Sequence, residues 1–326
     1  MARMRGPRAG TTMRGMEPGA ADHAGDRMLG VVVPELGGPE VLRAERVDVP
    51  RPGAGQVRIT VRAAGVNNYD AKVRSGIMRA PDLPFVPGEE AAGVVDAVGP
   101  DVSGTGVGDE VLGYTAGGAY AEHALLRAWT AKPPGLDWAD AVTIPIAGEA
   151  AVRAVAALDP RSGETVLVTG ASGVVGSFAL QLVLLRGARA VGTTAPHWFD
   201  DVADLGAIPV AYGDGMVDRV RAAAPDGIDA ALDLAGAGML PDLVVVRGGT
   251  ERVVTLADGA AGDVGVPFLS GGAAQQNTAV LERLVAMVID GDVVLPPVTT
   301  FGLDDAVRAH EALASRAHRG KVVLLP

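Results

Sequence analysis

The chain has 326 residues, no cysteine, and a net charge of −11 from 28 basic and 39 acidic side chains. The missing cysteines exclude disulfides, thiolate zinc sites and a cysteine nucleophile. The acidic balance argues against nucleic acid and anionic membranes as partners, while leaving room for a local phosphate site. Hydrophobic residues make up 48% and aromatics only 4%, so two domains with cores of Val, Leu and Ala are expected. Residues 1–27 carry Arg3, Arg5, Arg8 and Arg14 among Gly, Pro, Ala and Met. Without the apolar run of a signal peptide they read as a disordered extension, with Met28 a candidate natural start. No run of about 18 apolar residues predicts a membrane span, and the expected location is the cytoplasm.

A β-type run follows at 30–34. LGGPEVL (36–42) is a turn, 47–52 is extended, and 52–55 turns again. Val57, Ile59 and Val61 alternate with polar residues, which predicts a half-exposed strand over 56–64. AGVNNYDAKVRSG (64–76) reads as a loop and short helix. Strands are expected at 91–98, 110–112 and 119–125. This first part is mostly β with turn punctuation, as in an irregular barrel. From Gly135 the pattern changes. Helices are expected at 138–142 and 147–158, then strands near Val166, Ala190, Pro209, Ala230, Val253 and Val264 with helices between several of them. That alternation predicts a doubly wound parallel sheet. Residues 278–290 form an amphipathic helix, 303–316 another, and 321–325 a last strand expected to return to the β-rich part.

The stretch 164–195, ETVLVTGASGVVGSFALQLVLLRGARAVGTTA, carries the most information. It reads as strand, glycine turn, helix and strand. Gly170, Ala171, Ser172, Gly173, Val174, Val175 and Gly176 form the turn and the helix start. Small residues there let the backbone approach a pyrophosphate, and the helix N-terminus offers free N–H groups. The alternative is a tight βαβ turn without a ligand.

Together LGGPEVL, AAGVNNYDAKVRSG, PGEEAAGVVDAVG, GVGDEVLG, GGAYAEHALL, VLVTGASGVVG, GIDAALDLAG and RGKVVLL resemble the medium-chain dehydrogenase/reductase superfamily, in its zinc-free NADPH:quinone oxidoreductase branch, related to zeta-crystallin. The resemblance implies an α/β fold: a GroES-like β-barrel domain at 28–147, completed by 293–326, and a Rossmann doubly wound parallel-sheet domain at 148–292. It further implies NADPH, a small-molecule substrate in the cleft between the domains, and a homodimer. Where relatives hold catalytic zinc, this chain has Asn67, Glu89 and a position near Ala147. An amide and one carboxylate do not make a tetrahedral N/S site, so no metal is expected.

An acid at the end of the second Rossmann strand would bind the ribose of NAD. Gly192, Thr193, Thr194 and Ala195 stand there instead, which favours NADPH over NADH. By the resemblance, Thr194, His197, Tyr212 and Arg316 hold the 2′-phosphate end. Arg316 also reads as a surface arginine. At the reacting end the resemblance places Asn67, Asp70 and Lys72 as catalytic residues. Asn67 would bond the cofactor or a carbonyl, Lys72 would stabilise an enolate or deliver a proton, and Asp70 would orient Lys72. A plain Asp70–Lys72 ion pair is the bland alternative, and Tyr69 is a further phenolic donor. Met78 stands where enoyl-thioester reductases keep a tyrosine, which ranks thioester reduction lower. Ala150 replaces the family's threonine beside the nicotinamide, and a helix N-terminus would favour Glu149. His310 and His318 are expected to be solvated. Loops 113–119 and 267–276 should line the cleft. The leading expectation is an NADPH-dependent reductase of quinones or enones. The alternative is a non-redox cyclase, lyase or binding protein on the same scaffold.

Overall fold

The computed structural model describes residues 26–272, 276–315, 318 and 320–326. Most of the expected extension (1–25) and Arg316 lie outside them. Arg27, placed in the extension by sequence, belongs to strand β1 (Arg27–Val32). Its guanidinium reaches the Asp48 carboxylate at 3.4 Å, on the antiparallel partner β2 (Arg43–Asp48).

The barrel sheet is built from β3 (Val57–Val66), β4 (Glu90–Val98), β5 (Glu110–Thr115) and β6 (His123–Ala131). Helix α1 (Asn68–Arg74) lies between the first two strands. Antiparallel neighbours run β3-β4-β5-β6, and β6 also pairs with β3 over Val57–Thr60, which closes the ring. The strand expected at 119–125 starts later. Residues 119–121 cross to β1 instead, where Val31 N donates to Tyr120 O at 2.7 Å.

Helices α2 (Trp138–Ala141) and α3 (Pro145–Leu158) lead into the second sheet. The stretch Trp138–Leu158 is long and apolar enough by composition to cross a membrane, which the sequence reading did not foresee. Its most apolar 18 residues are 67% buried inside the fold, where α3 packs on its neighbours as core.

Then follow β7 (Thr165–Thr169), α4 (Val174–Leu185), β8 (Arg189–Thr194), α5 (Phe199–Asp204), β9 (Ile208–Ala211), α6 (Met216–Ala223), β10 (Ala230–Asp233), α7 (Leu240–Arg247) and β11 (Val253–Thr255). The five strands are parallel in the order β11-β10-β7-β8-β9. Every residue of TVLVT in β7 is buried, as a central parallel strand covered on both faces requires. Gly187, at φ +75°, stops α4 as its spacing predicts. Val264, expected in a strand, ends the short helix α8 (Ala261–Val264). Asp258 Oδ1 accepts from Ala260 N at 2.9 Å just before it. Extended backbone comes later, where Phe268 bridges Thr255.

Helix α9 (Thr278–Ile289) sets Leu281, Leu284 and Val285 into the core. Strand β12 (Val298–Gly302), helix α10 (Ala306–Ser315) and strand β13 (Lys321–Leu325) end the chain. Strand β13 pairs with β3, so the terminal segment returns to the barrel sheet. Leu112 and Tyr114 of the barrel share one core with Ala147 and Ala151 of α3 and with Val166 and Val168 of β7.

Candidate active site

In the parallel sheet the strand order reverses on either side of β7. The crevice for a ligand therefore lies beyond the C-terminal ends of β7 and β10. One buried carboxylate organises those ends. Asp233 Oδ1 accepts from Thr169 Oγ1 at 2.6 Å and Gly236 N at 3.0 Å, and Oδ2 accepts from Thr255 Oγ1 at 2.7 Å. Leu234 N donates in turn to Thr169 Oγ1 at 3.1 Å. Asp233 thus staples β7, β10 and β11 under the crevice. Sequence reasoning gave it no role, although an acid ending the apolar run Ala230–Leu232 was a visible signal.

The glycine turn sits on this platform. Gly170 takes φ +65°, a conformation that favours glycine. A Cβ on Gly176 would collide with the carbonyl oxygen of Gly170 and meet Ala171 O at 2.8 Å, so glycine here lets α4 press on the turn. Gly173 differs. Its backbone is ordinary (φ −73°, ψ 164°), and a Cβ would meet only Gly170 O, at 3.2 Å. Neither conformation nor dense packing demands glycine there. What the missing side chain does is leave the N-terminus of α4 open to an anion's close approach. Ala171 is buried beneath, and Val174 and Val175 pack half-buried against the core.

Thr194 closes the other side, its Oγ1 donating to Ser172 Oγ at 2.7 Å. Tyr212 N donates to Thr194 O at 3.4 Å, and the Tyr212 ring is exposed. Arg219 fixes that loop, donating to the carbonyls of Ala211, Tyr212, Gly213 and Asp214. His197 is exposed, its ring 4.7 Å from that of Trp198. The structure thus brings Thr194, Ser172 and Tyr212 together beside the turn. Arg316 lies outside the described residues.

At the barrel side Asn67 caps α1, and Asp70 Oδ2 accepts from Asn67 N at 2.8 Å. The expected Asp70–Lys72 pairing is absent among the described residues. Asp70 turns inward to cap its own helix, and burial first of all raises its carboxyl to about 7. Lys72 is half-buried, and its carbonyl accepts from Ser75 Oγ and Met78 N. The Asn67 side chain is held by two groups sequence reasoning did not single out. Its Nδ2 donates to Glu90 Oε1 at 2.8 Å, and Lys321 Nζ donates to its Oδ1. Lys321 also pairs with Glu90, and Glu90 Oε2 accepts from Ile146 N at the start of α3. Glu89 beside it is pushed up, chiefly by burial against the lowering effect of Arg127. Tyr69 is also raised, by burial and then by Glu89 and Asp70.

Two further expectations are corrected. Glu149 stands beyond the first turn of α3 and pairs with Arg153 one turn on, at 2.8 Å, in place of the helix N-terminus. Arg153 in turn donates to Leu269 O at 2.6 Å. His310 is buried, 1% exposed, because Ala306, Ala309 and His310 form the inner face of α10. Arg74 Nη1 meets its Nδ1 at 2.6 Å. A guanidinium only donates, so Nδ1 accepts and the ring is neutral. Burial and Arg74 hold it down to about 3.

A closed GroES-like barrel joined to a five-stranded Rossmann sheet, with a glycine turn at the reversal point, defines a medium-chain dehydrogenase/reductase. Comparison with known proteins agrees. Residues 53–134 match the alcohol dehydrogenase GroES-like domain, and 205–324 match the family described as zinc-binding dehydrogenase. The rat quinone oxidoreductase is 32% identical over 91% of this chain and 98% of its own length. The tomato 2-methylene-furan-3-one reductase is 32% identical over 90% of this chain and 77% of its own. A mycobacterial protein solved in complex with NADPH superposes with a TM-score of 0.82 and 28% identity, over 92% of this chain and 100% of its own. The chain belongs to the quinone oxidoreductase family of the medium-chain dehydrogenase/reductase superfamily, whose members are oxidoreductases. The second family's description names zinc, for which cysteine thiolates are common ligands. With no cysteine, the chain has no thiolate to contribute to a tetrahedral N/S set. Among the described residues no cluster of three His, Asp or Glu side chains is placed to hold a metal ion.

Proposed function

We propose that this protein is an NADPH-dependent, zinc-independent reductase of quinones, enones or related conjugated carbonyls. The observation that carries the reading is Gly173. It is a glycine that its backbone does not require, at an open helix N-terminus above the sheet's reversal point. The cradle at 170–176 fits a pyrophosphate, and the end of β8 offers Thr194 and Ala195 with no carboxylate to repel a 2′-phosphate. The relatives' names, a quinone oxidoreductase and a furanone reductase, and the NADPH held by the mycobacterial neighbour support the same choice.

NADPH, when bound, supplies a hydride to the substrate's electrophilic carbon. The chain's own residues do the rest. Thr194, His197 and Tyr212 frame the 2′-phosphate end, and Arg316 joins them in this reading. Asn67 and Lys72 hold the carbonyl oxygen as negative charge grows on it. Lys72 or solvent then returns the proton. Asp70 acts on Asn67 rather than on Lys72. The division into 28–147 with 293–326 and 148–292 belongs to this reading, as do a homodimeric assembly and a cytoplasmic location. The return of β13 to β3 supports that division.

The experiment is a titration with NADPH followed by its oxidation in the presence of 9,10-phenanthrenequinone. Binding without turnover across quinones and enones would favour a non-redox role, a possibility that Ala150 keeps open. A variant checks the cofactor's identity. Ala195→Asp sets a carboxylate where the 2′-phosphate would lie. NADPH affinity should fall about tenfold or more while NADH affinity changes less than about threefold. Equal losses for both would argue against a 2′-phosphate at that place.

A further inference from the structure

The side-chain amide of Asn67 sits between two groups that leave it a single orientation. Lys321 Nζ can only donate, so the amide must turn its Oδ1 toward it. Glu90 is the acceptor at Nδ2, at 2.8 Å. Glu90 and Lys321 bond each other at 2.5 Å and are 0% and 2% exposed. The partners come from β4 and β13, and Glu90 Oε2 is itself fixed by Ile146 N at 2.8 Å. An amide nitrogen carries two N–H groups. One is spent on Glu90, and the second meets no acceptor among the described residues, although Asn67 is only partly covered.

We propose that Glu90 and Lys321 are positioning residues that lock the Asn67 amide, so that its second N–H is presented to the oxygen of the bound substrate or cofactor. The proposal rests on the reductase reading in placing that oxygen beside Asn67; the lock itself does not. Without Lys321 the amide loses the donor on its Oδ1 and hangs on Glu90 alone, so the second N–H is no longer held in one direction. The charge pair is buried and contributes little net stability for its cost, which fits a role in fixing one geometry.

The first test needs no turnover. In the cofactor-free protein, the Asn67 side-chain NH2 resonances are assigned by their loss in Asn67→Leu. One proton, on Glu90, should exchange with solvent at least about tenfold more slowly than the other, since a buried hydrogen bond protects it. In Lys321→Met the two rates should converge. Unchanged protection in that variant would overturn the lock, whatever the enzyme does. The second test is a cycle in kcat with 9,10-phenanthrenequinone. Asn67→Leu and Lys321→Met should each lower kcat about 10- to 50-fold with the NADPH Kd within about threefold, and the double variant should be no worse than about threefold below either. Multiplying losses would mean that Lys321 acts apart from Asn67 and would overturn the positioning role. Should Lys321→Met fail to fold around an unpaired Glu90, Glu90→Gln with Lys321→Met removes both charges and takes its place in both tests. A wild type that binds no NADPH fails the reductase reading, while the exchange pattern still decides the lock.

Discussion

Gly173→Ala should fold as the wild type does and lose most of its affinity for NADPH, whereas Gly176→Ala should lose stability as well. The two glycines stand one turn apart, yet their surroundings differ. At Gly176 an added methyl meets the backbone carbonyl of Gly170 and Ala171 O at 2.8 Å, neither of which can rotate aside. The turn or α4 must shift, at a cost of about 3 kcal/mol, which lowers Tm by roughly 4–5 °C in a chain of this size. At Gly173 the methyl meets one carbonyl oxygen at 3.2 Å and otherwise projects into open space at the N-terminus of α4. Stability should change by less than about 1 kcal/mol. The methyl then stands where a pyrophosphate must approach, and a loss of about 2 kcal/mol corresponds to roughly 30-fold in Kd. Thermal melts paired with fluorescence titration separate the two effects. Equal NADPH affinity in Gly173→Ala and wild type would mean that the turn is a structural βαβ corner.

The second large effect lies in how stability depends on pH, where two buried groups oppose each other. Asp70 is raised to about 7 from 3.8. The folded protein therefore holds more protons than the unfolded chain between those values. Its contribution is complete below pH 3.8 and is lost as pH rises through 7, about 4 kcal/mol in all. His310 is lowered to about 3 from 6.5. Its contribution is complete above pH 6.5 and is lost as pH falls through 3, by a similar amount of about 5 kcal/mol. Between about pH 4 and 6.5 the two slopes cancel. Asp70→Asn should uncover the histidine, with unfolding free energy rising about 3 kcal/mol from pH 4.5 to 6.5. His310→Gln should uncover the carboxyl, with a fall of about the same size, roughly 3 kcal/mol. Urea unfolding at the two pH values measures both. The same pH slope in both variants would show that neither group is held as its burial implies.

Parts of this molecule were legible in the sequence because their cause is local. The strand–turn–helix at 165–185 follows from an apolar run, glycine spacing and a glycine stop, and β13 was read at its observed bounds. The doubly wound parallel sheet followed from alternation, while its strand order came from the structure. What stayed hidden depends on contacts between distant segments. Glu90 and Lys321 are 231 residues apart, and only folding sets them on one amide. His310 looked solvated because an Ala-rich helix with scattered charges does not declare its inner face; Arg74 and the barrel decide it. Asp70 stands two residues from Lys72, yet a helix turns those positions apart, and the carboxylate caps Asn67 instead. Loop 267–276 was expected at the cleft. Arg127 of β6 donates to Gln276 O at 3.5 Å, and Arg153 donates to Leu269 O, which ties that loop to both halves of the fold.

The central claim is that the crevice above β7 and β10 binds NADPH and delivers its hydride to a conjugated carbonyl. The most direct measurement is the oxidation of NADPH, followed at 340 nm on the nicotinamide chromophore, with 9,10-phenanthrenequinone as acceptor and Gly173→Ala as control. The account predicts a rate proportional to wild-type enzyme, a lower rate with NADH, and a rate reduced about 30-fold at subsaturating NADPH in the control. Wild-type protein that binds NADPH but oxidises none of it with any quinone or enone, or a control as active as wild type, would contradict it.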